Sequence, residues 1–143
     1  MEHQGKTIED LAIGDRATIS REIREEDIND FAQVTGDRNP LHLDEAYAKD
    51  TIFKGRIAHG MLCASLISSV IGMRLPGPGT VYLSQTLHFR KAVRINDTIT
   101  VQAEVKEIDA TKGRVTLYTV CRNQEDKVVL EGAALVMPRR AGE

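Results

Sequence analysis

Asp37 and His42 stand five positions apart in the stretch VTGDRNPLHLDEAY, residues 34 to 47, with Asn39 and Pro40 between them. On a regular helix that spacing would turn the two side chains away from each other, because helical neighbours are three or four apart. On a strand it would put them on opposite faces. Pro40 disfavours a helical conformation at Asn39 before it, and Asn with Pro favours a turn. A folded loop can therefore aim both groups at one spot. The chemistry available there is proton transfer: a carboxylate accepts protons, and an imidazole accepts or donates them near neutral pH. Taken alone, each residue has a plainer reading, Asp37 as a turn former and His42 as a satisfied loop histidine.

A second element lies at AHGM, residues 58 to 61. His59 and Gly60 fall where a long apolar segment should begin a helix. A helix start presents unpaired N–H groups and the positive end of the dipole, and glycine lets another group approach the backbone closely. Such a place can stabilise a developing oxyanion. Close packing at a helix start would explain Gly60 equally well. Along the same helix Met61, Ser65, Ser68 and Gly72 follow at steps of four, three and four, a small and partly polar stripe. Ser69 is expected to bond back to a preceding carbonyl, whereas Ser68 is a candidate for the site. Gln85 interrupts an apolar strand face, as a pocket-lining residue or as a buried amide with a backbone partner.

The elements that must position these residues follow from periodicity. A first strand is expected in GDRATISREI and a helix in REEDINDFAQVTG, with acids in its first turn and Gly36 at its end. DEAYAKDTIF reads as a short helix with Asp44 as its N-cap. The segment from Gly60 to Met73 is apolar or small nearly all round, the pattern of a helix buried on most sides. Pro76 and Pro78 cannot continue it. Alternation then takes over: Val81, Leu83, Leu87 and Phe89; Ile99, Val101, Ala103 and Val105; Val115, Leu117, Thr119 and Cys121. The last run, Lys127 to Met137, is apolar on both faces. RINDT, DATKG and NQEDK separate these runs as turns. Short turns favour antiparallel pairing. The expected architecture is α+β, a hotdog-like curved antiparallel sheet wrapped around one long central helix.

The whole chain sets outer bounds. It has 143 residues, read as one domain spanning 1–143. With 41% apolar and 28% charged residues it has the composition of an ordinary globular protein. A net charge of −2 gives no basis for nucleic-acid binding. The polar N-terminus lacks the features of a signal peptide, and the apolar segment is too short and serine-rich to span a bilayer. A cytoplasmic protein without a membrane segment is expected. Cys63 and Cys121 read as buried free thiols. His3, His42, His59 and His88 show no metal-ligand spacing.

FAQVTGDRNPLHLDEAYA, IAHGMLCASLISSVIG, LPGPGTVYLSQTLHF and NDTITVQAEV together closely resemble the MaoC-like family, in particular its short (R)-specific enoyl-CoA hydratases. The likeness runs from about Ile8 to the last strand. It implies a hotdog fold working as a homodimer, and hydration of trans-2-enoyl-CoA to (R)-3-hydroxyacyl-CoA with neither metal nor redox cofactor. By position it places the catalytic pair on Asp37 and His42, the oxyanion N–H on Gly60 and an active-site serine on Ser68. Rival readings are a 3-hydroxyacyl-thioester dehydratase of fatty-acid synthesis, a hotdog thioesterase, and a non-catalytic acyl-CoA-binding module. The thioester carrier, CoA or acyl carrier protein, needs basic residues nearby; Arg56, Arg74, Arg90, Lys91 and Arg94 are candidates.

Overall fold

Three strands, β4 (Thr98–Asp109), β5 (Arg114–Arg122) and β6 (Val128–Met137), form the centre of the molecule in a computed structural model that describes residues 4–143. His3 and the first two residues of the chain lie outside the described part. Every second side chain of β4 from Ile99 to Val105 is fully buried, as are Val115, Leu117 and Cys121 of β5. The register pairs Val101 with Cys121, Ala103 with Thr119 and Val105 with Leu117. One-face burial fixes such a register, since a slip of one residue would send the whole apolar set to solvent. The turns before β4, between β4 and β5, and between β5 and β6 each contain a residue of positive φ: Asn96, Gly113 and Asp126. These are residue types that tolerate the left-handed region.

β1 (Arg16–Glu22) adds antiparallel to β4, and β2 (Val81–Gln85) adds antiparallel to β6, giving the order β1-β4-β5-β6-β2. α1 (Glu25–Thr35) follows β1 and ends on Gly36, which has a φ of 79°. α2 (Pro40–Leu43) and α3 (Glu45–Ala48) are single turns. α4 (Gly60–Met73) lies against β1, β4 and β5 and buries Cys63, Leu66, Ile67, Val70 and Ile71 among the sheet side chains. This is the expected α+β hotdog layout.

Several local expectations needed correction. The helix α4, expected to be buried on most sides, leaves one face open: Met61, Ser65, Ser68, Ser69 and Met73 are exposed. Serines on that face are small rather than buried, so composition overstated its burial. The run from Val81 to Phe89 is not one strand. It breaks at Thr86 and Leu87 and resumes as β3 (His88–Phe89), also paired with β6. The break crosses Gly132 of β6, where a Cβ would meet the Thr86 carbonyl oxygen at 1.8 Å. Of the apolar side chains of this run only Leu87 packs against the core; Val81, Leu83 and Phe89 are 45%, 41% and 52% exposed. β6 buries Leu130, Ala134 and Val136 at alternate positions, buries Val129 where the register with β5 shifts, and covers its other face only in part. The DEAYAKDTIF helix stops after Ala48, although Asp44 does cap it by accepting from Tyr47 N–H.

Candidate active site

The chain between α1 and α4 folds by short-range hydrogen bonds. The Thr35 hydroxyl donates to the Phe31 carbonyl and accepts from the Asp37 N–H. Asp37 Oδ1 accepts from the Asn39 N–H at 3.2 Å, and Asn39 Oδ1 accepts from the Leu41 N–H at 3.0 Å. Asn39 thus caps α2, with Pro40 at the first helical position where its missing N–H costs nothing. His42 is therefore carried on a one-turn helix and not on an irregular loop. The turn starts after Asn39, so the backbone break still lets Asp37 and His42 converge. Asp37 Oδ2 has no hydrogen bond among the described residues, while Oδ1 is spent on the turn.

His42 is buried, and its Nδ1 lies 2.8 Å from the Ile57 carbonyl. A carbonyl only accepts, so Nδ1 carries the proton and Nε2 is the nitrogen open to chemistry. Arg56 holds the other side of this turn. Its Nε–H donates to the His42 carbonyl at 2.7 Å, its N–H donates to Glu45, and its guanidinium lies 3.5 Å from Glu25 at the start of α1. Of the basic candidates for carrier binding, Arg56 is thus committed to structure. Arg90 pairs with Glu131, and Arg94 reaches the Gly55 carbonyl.

The segment is then tied to the loop between β3 and β4, by the Ala58 N–H to the Val93 carbonyl, 2.8 Å, and by a bridge between Ile57 and Arg94. His59 follows as the N-cap of α4, and sequence reasoning gave it no role beyond marking the helix start. Its ring is 2% exposed and packs on His42 with ring centroids 4.0 Å apart. Its Nε2–H donates to the Asp37 carbonyl at 3.0 Å. Burial pushes its pKa down, against the bond to Asp37, which raises it. The signal was available only as histidine next to glycine at a helix start. Asp37, His42 and His59 each present a donor atom within 4.8 Å of the others. Two imidazoles and a carboxylate are also a donor set of the kind that holds a divalent metal.

Gly60 sits at the first position of α4 with Phe89 against its Cα; a Cβ would lie 2.8 Å from Phe89 Cε1. Here the absence of a side chain is required by close approach. Gly60 lines a cleft of about 340 Å³ with Phe53, Ile57, Phe89, Arg90 and Lys91. Ser68 does not share it. It lines a second cleft of about 410 Å³ with Phe31, Met61, Ala64, Gln85 and Leu87. The two residues are eight apart on one helix, about 12 Å along its axis. Of its two alternative readings, Gln85 meets the pocket-lining one, being half-buried rather than a buried amide. It lines this second cleft, accepts from the Tyr82 hydroxyl, and donates to the Thr86 carbonyl and to Thr119 Oγ1 at 2.9 Å. Of the serines on α4, it is Ser65 that bonds back to the helix, at the Leu62 carbonyl.

Comparison with known proteins places this arrangement. The MaoC like domain matches residues 12–127. The chain is 51% identical over 128 residues to a 3-hydroxybutyryl-CoA dehydratase of Methylorubrum extorquens, covering 90% of this chain and 81% of that one. It is 48% identical over 129 residues to an (R)-specific enoyl-CoA hydratase of Rhodospirillum rubrum, covering 90% and 89%. The solved structure of the R-hydratase PhaJ1 from Pseudomonas aeruginosa, in its unliganded form, superposes with a TM-score of 0.91 at 47% identity, covering 96% of this chain and 88% of that one. With most of its length matched and its fold shared, the chain belongs to the MaoC-like family. No helix among the described residues is long and apolar enough to cross a membrane.

Proposed function

We propose that this chain is an (R)-specific enoyl-CoA hydratase, a hydro-lyase that adds water to trans-2-enoyl-CoA to give (R)-3-hydroxyacyl-CoA. The observation that carries the reading is the convergence of the Asp37 carboxylate and His42 immediately beside the start of α4, in a chain similar over nine-tenths of its length to an (R)-specific enoyl-CoA hydratase.

Asp37 Oδ2 and His42 Nε2 hold the water. Asp37 acts as the base, taking a proton as the water oxygen bonds to C3. The C2=C3 electron pair moves toward the thioester, and charge builds on the carbonyl oxygen as an enolate. The N–H of Gly60, at the positive end of α4, stabilises that oxygen. The enolate then collapses as C2 takes a proton from the same acid/base pair. The reaction is redox-neutral and its steps call on no cofactor. Run in reverse, these steps are those of a 3-hydroxyacyl-thioester dehydratase, and a reversible enzyme catalyses both. Arg90 and Lys91 at the Gly60 cleft suit a phosphate-bearing carrier, and the more apolar cleft of Met61, Ala64 and Leu87 suits an acyl chain, with Ser68 on its wall.

Residues 1–143 act as one catalytic domain in the cytoplasm, as a homodimer. Exposed Val81, Tyr82 and Leu83 on the edge strand β2 support dimerisation, since apolar side chains along an open strand edge ask for cover. Sedimentation should give twice the 15.8 kDa chain mass; a monomer at micromolar concentration counts against it.

Crotonyl-CoA tests the activity. The expected result is loss of the enoyl-thioester absorbance with no free thiol, and a product oxidised by an (R)-specific 3-hydroxyacyl-CoA dehydrogenase. Release of free CoA would instead identify a thioesterase, and an unchanged substrate a binding module.

A further inference from the structure

Resting on the hydratase reading, the geometry points to His59 as a positioning residue that sets where the Asp37 carboxylate stands, through its Nε2–H···O=C bond to the Asp37 main chain. Asp37 lies in an exposed turn. Its other hydrogen bonds, with Thr35 and Asn39, reach only two residues along the chain. They shape the turn but tie it to nothing else. Among the described residues, the His59 bond is the one that joins Asp37 to a distant segment, at 3.0 Å.

His59 is itself fixed from several sides. Its ring lies between Phe31 of α1, 4.8 Å away by ring centroids, and His42 of α2, 4.0 Å away. Its backbone begins α4 and precedes Gly60. One residue therefore spans the three parts that the reaction needs in register: the base, its histidine partner and the N–H donor. Because a carbonyl only accepts, Nε2 must carry the hydrogen. Nδ1 is then a bare lone pair, and it is buried without a partner. Burial favours this neutral ring, with His42 and Asp37 as the titratable groups facing it. A ring 2% exposed is poorly placed to meet substrate, so its contribution passes through Asp37. Misplacing a reacting group by about 1 Å costs on the order of 10²-fold in rate.

The test compares His59→Gln with His59→Met. Both are flexible chains of similar length; the Gln amide can place a donor near the position of Nε2, and Met has none. With crotonyl-CoA, Met should lower kcat about 10²-fold while KM moves little, and Gln should recover most of the loss. Added to Asp37→Asn, the Met change should cost almost nothing further, because the bond then positions a disabled group. Nitrogen NMR of the wild-type imidazoles, which needs no variant to fold, should show His59 as the Nε2–H tautomer. Equal kcat for Gln and Met, a multiplicative double variant, or an Nδ1–H tautomer would each overturn the proposal. The two readings fail differently. Wild-type turnover by Asp37→Asn removes the functional reading and this one with it. A crippled Asp37→Asn beside a His59→Met of unchanged kcat removes this one alone.

Discussion

The sheet and the segment from Gly36 to His59 are held together by different means. In β4, β5 and β6 many fully buried side chains share one apolar face, with continuous antiparallel pairing behind them. No single residue defines that surface. The segment above α4 has few buried side chains, and single hydrogen bonds from Asn39, Asp44, Arg56 and His59 set its course. Burial therefore supplies stability in one region, and directed bonds supply geometry in the other. Substitutions should separate the two: changes in the segment should cost rate, and changes in the sheet should cost folding.

The largest effect is expected at the pair. Asp37→Asn should lower kcat by ~10²–10⁴-fold with an unchanged melting temperature, and His42→Ala should lower kcat as far while also lowering the melt through its lost bond to Ile57. Together they should cost less than the product of the singles, because they act on one water. Steady-state kinetics beside a thermal melt decides it; a folded Asp37→Asn with normal turnover would sink the assignment. Leu117→Ala is the opposite case. It opens a cavity in the core and should destabilise the fold by about 2–5 kcal/mol, while the folded fraction keeps its kcat. A loss of kcat per folded molecule in that variant would break the division between the regions.

Smaller effects sharpen it. Gly60→Ala brings a methyl to 2.8 Å from a Phe89 ring carbon. The ring is half exposed and can swing away, so folding should survive and kcat/KM should fall by about tenfold through the disturbed N–H. Ser68→Ala, in the other cleft, should reduce rate less than Gly60→Ala and leave the melt unchanged. If Ser68→Ala unfolds with normal specific activity, the serine is structural.

The smallest effect near neutral pH concerns the two buried thiols, Cys63 of α4 and Cys121 of β5. Burial pushes both Cys63 and Cys121 up to about 12, with Asp97 adding to the first and Cys63 to the second. At pH 8 a thiol reagent should leave the native protein unmodified. Above roughly pH 8.5 the unfolded chain releases two protons that the folded chain keeps. Stability should then fall as pH rises toward 12, approaching a slope of about 1.4 kcal/mol per pH unit for each thiol. Urea midpoints at pH 8 and 10 measure this, and a Cys63→Ala/Cys121→Ala variant should flatten the difference.

The contrast between regions also explains what was legible in the sequence. Period-two burial in β4 and β5 and the Gly60–Met73 helix follow from apolar spacing, and the structure has them where spacing put them. So do Asn39, Gly36 and Asp44 as breaks and caps, because those signals are local. What escaped depends on contacts distant in sequence. The break at Thr86 packs against Gly132 of another strand, which has no Cβ to block it. The exposure of Val81, Leu83 and Phe89 follows from lying at a sheet edge, which alternation cannot reveal. Arg56 looked available to a ligand because its partners, the His42 carbonyl and Glu25, come from two other elements. His59 was invisible for the same reason: a bond to the main chain of residue 37 leaves no mark on residue type. The separation of Gly60 from Ser68 needed the side chains around the helix, not the helix alone.

Asp37, His42, His59 and Gly60 all lie on one uninterrupted stretch, which is tied to residues 93 and 94 in the loop before β4 and touches Phe89 of β3. Platform and chemistry are thus nearly separate modules of one chain. Exchanging residues 36 to 60 between relatives should carry the acid/base groups across as a unit, while the sheet-side cleft walls stay with the recipient. Substrate range and reaction chemistry can then diverge independently in descendants of the same fold, each under its own selection.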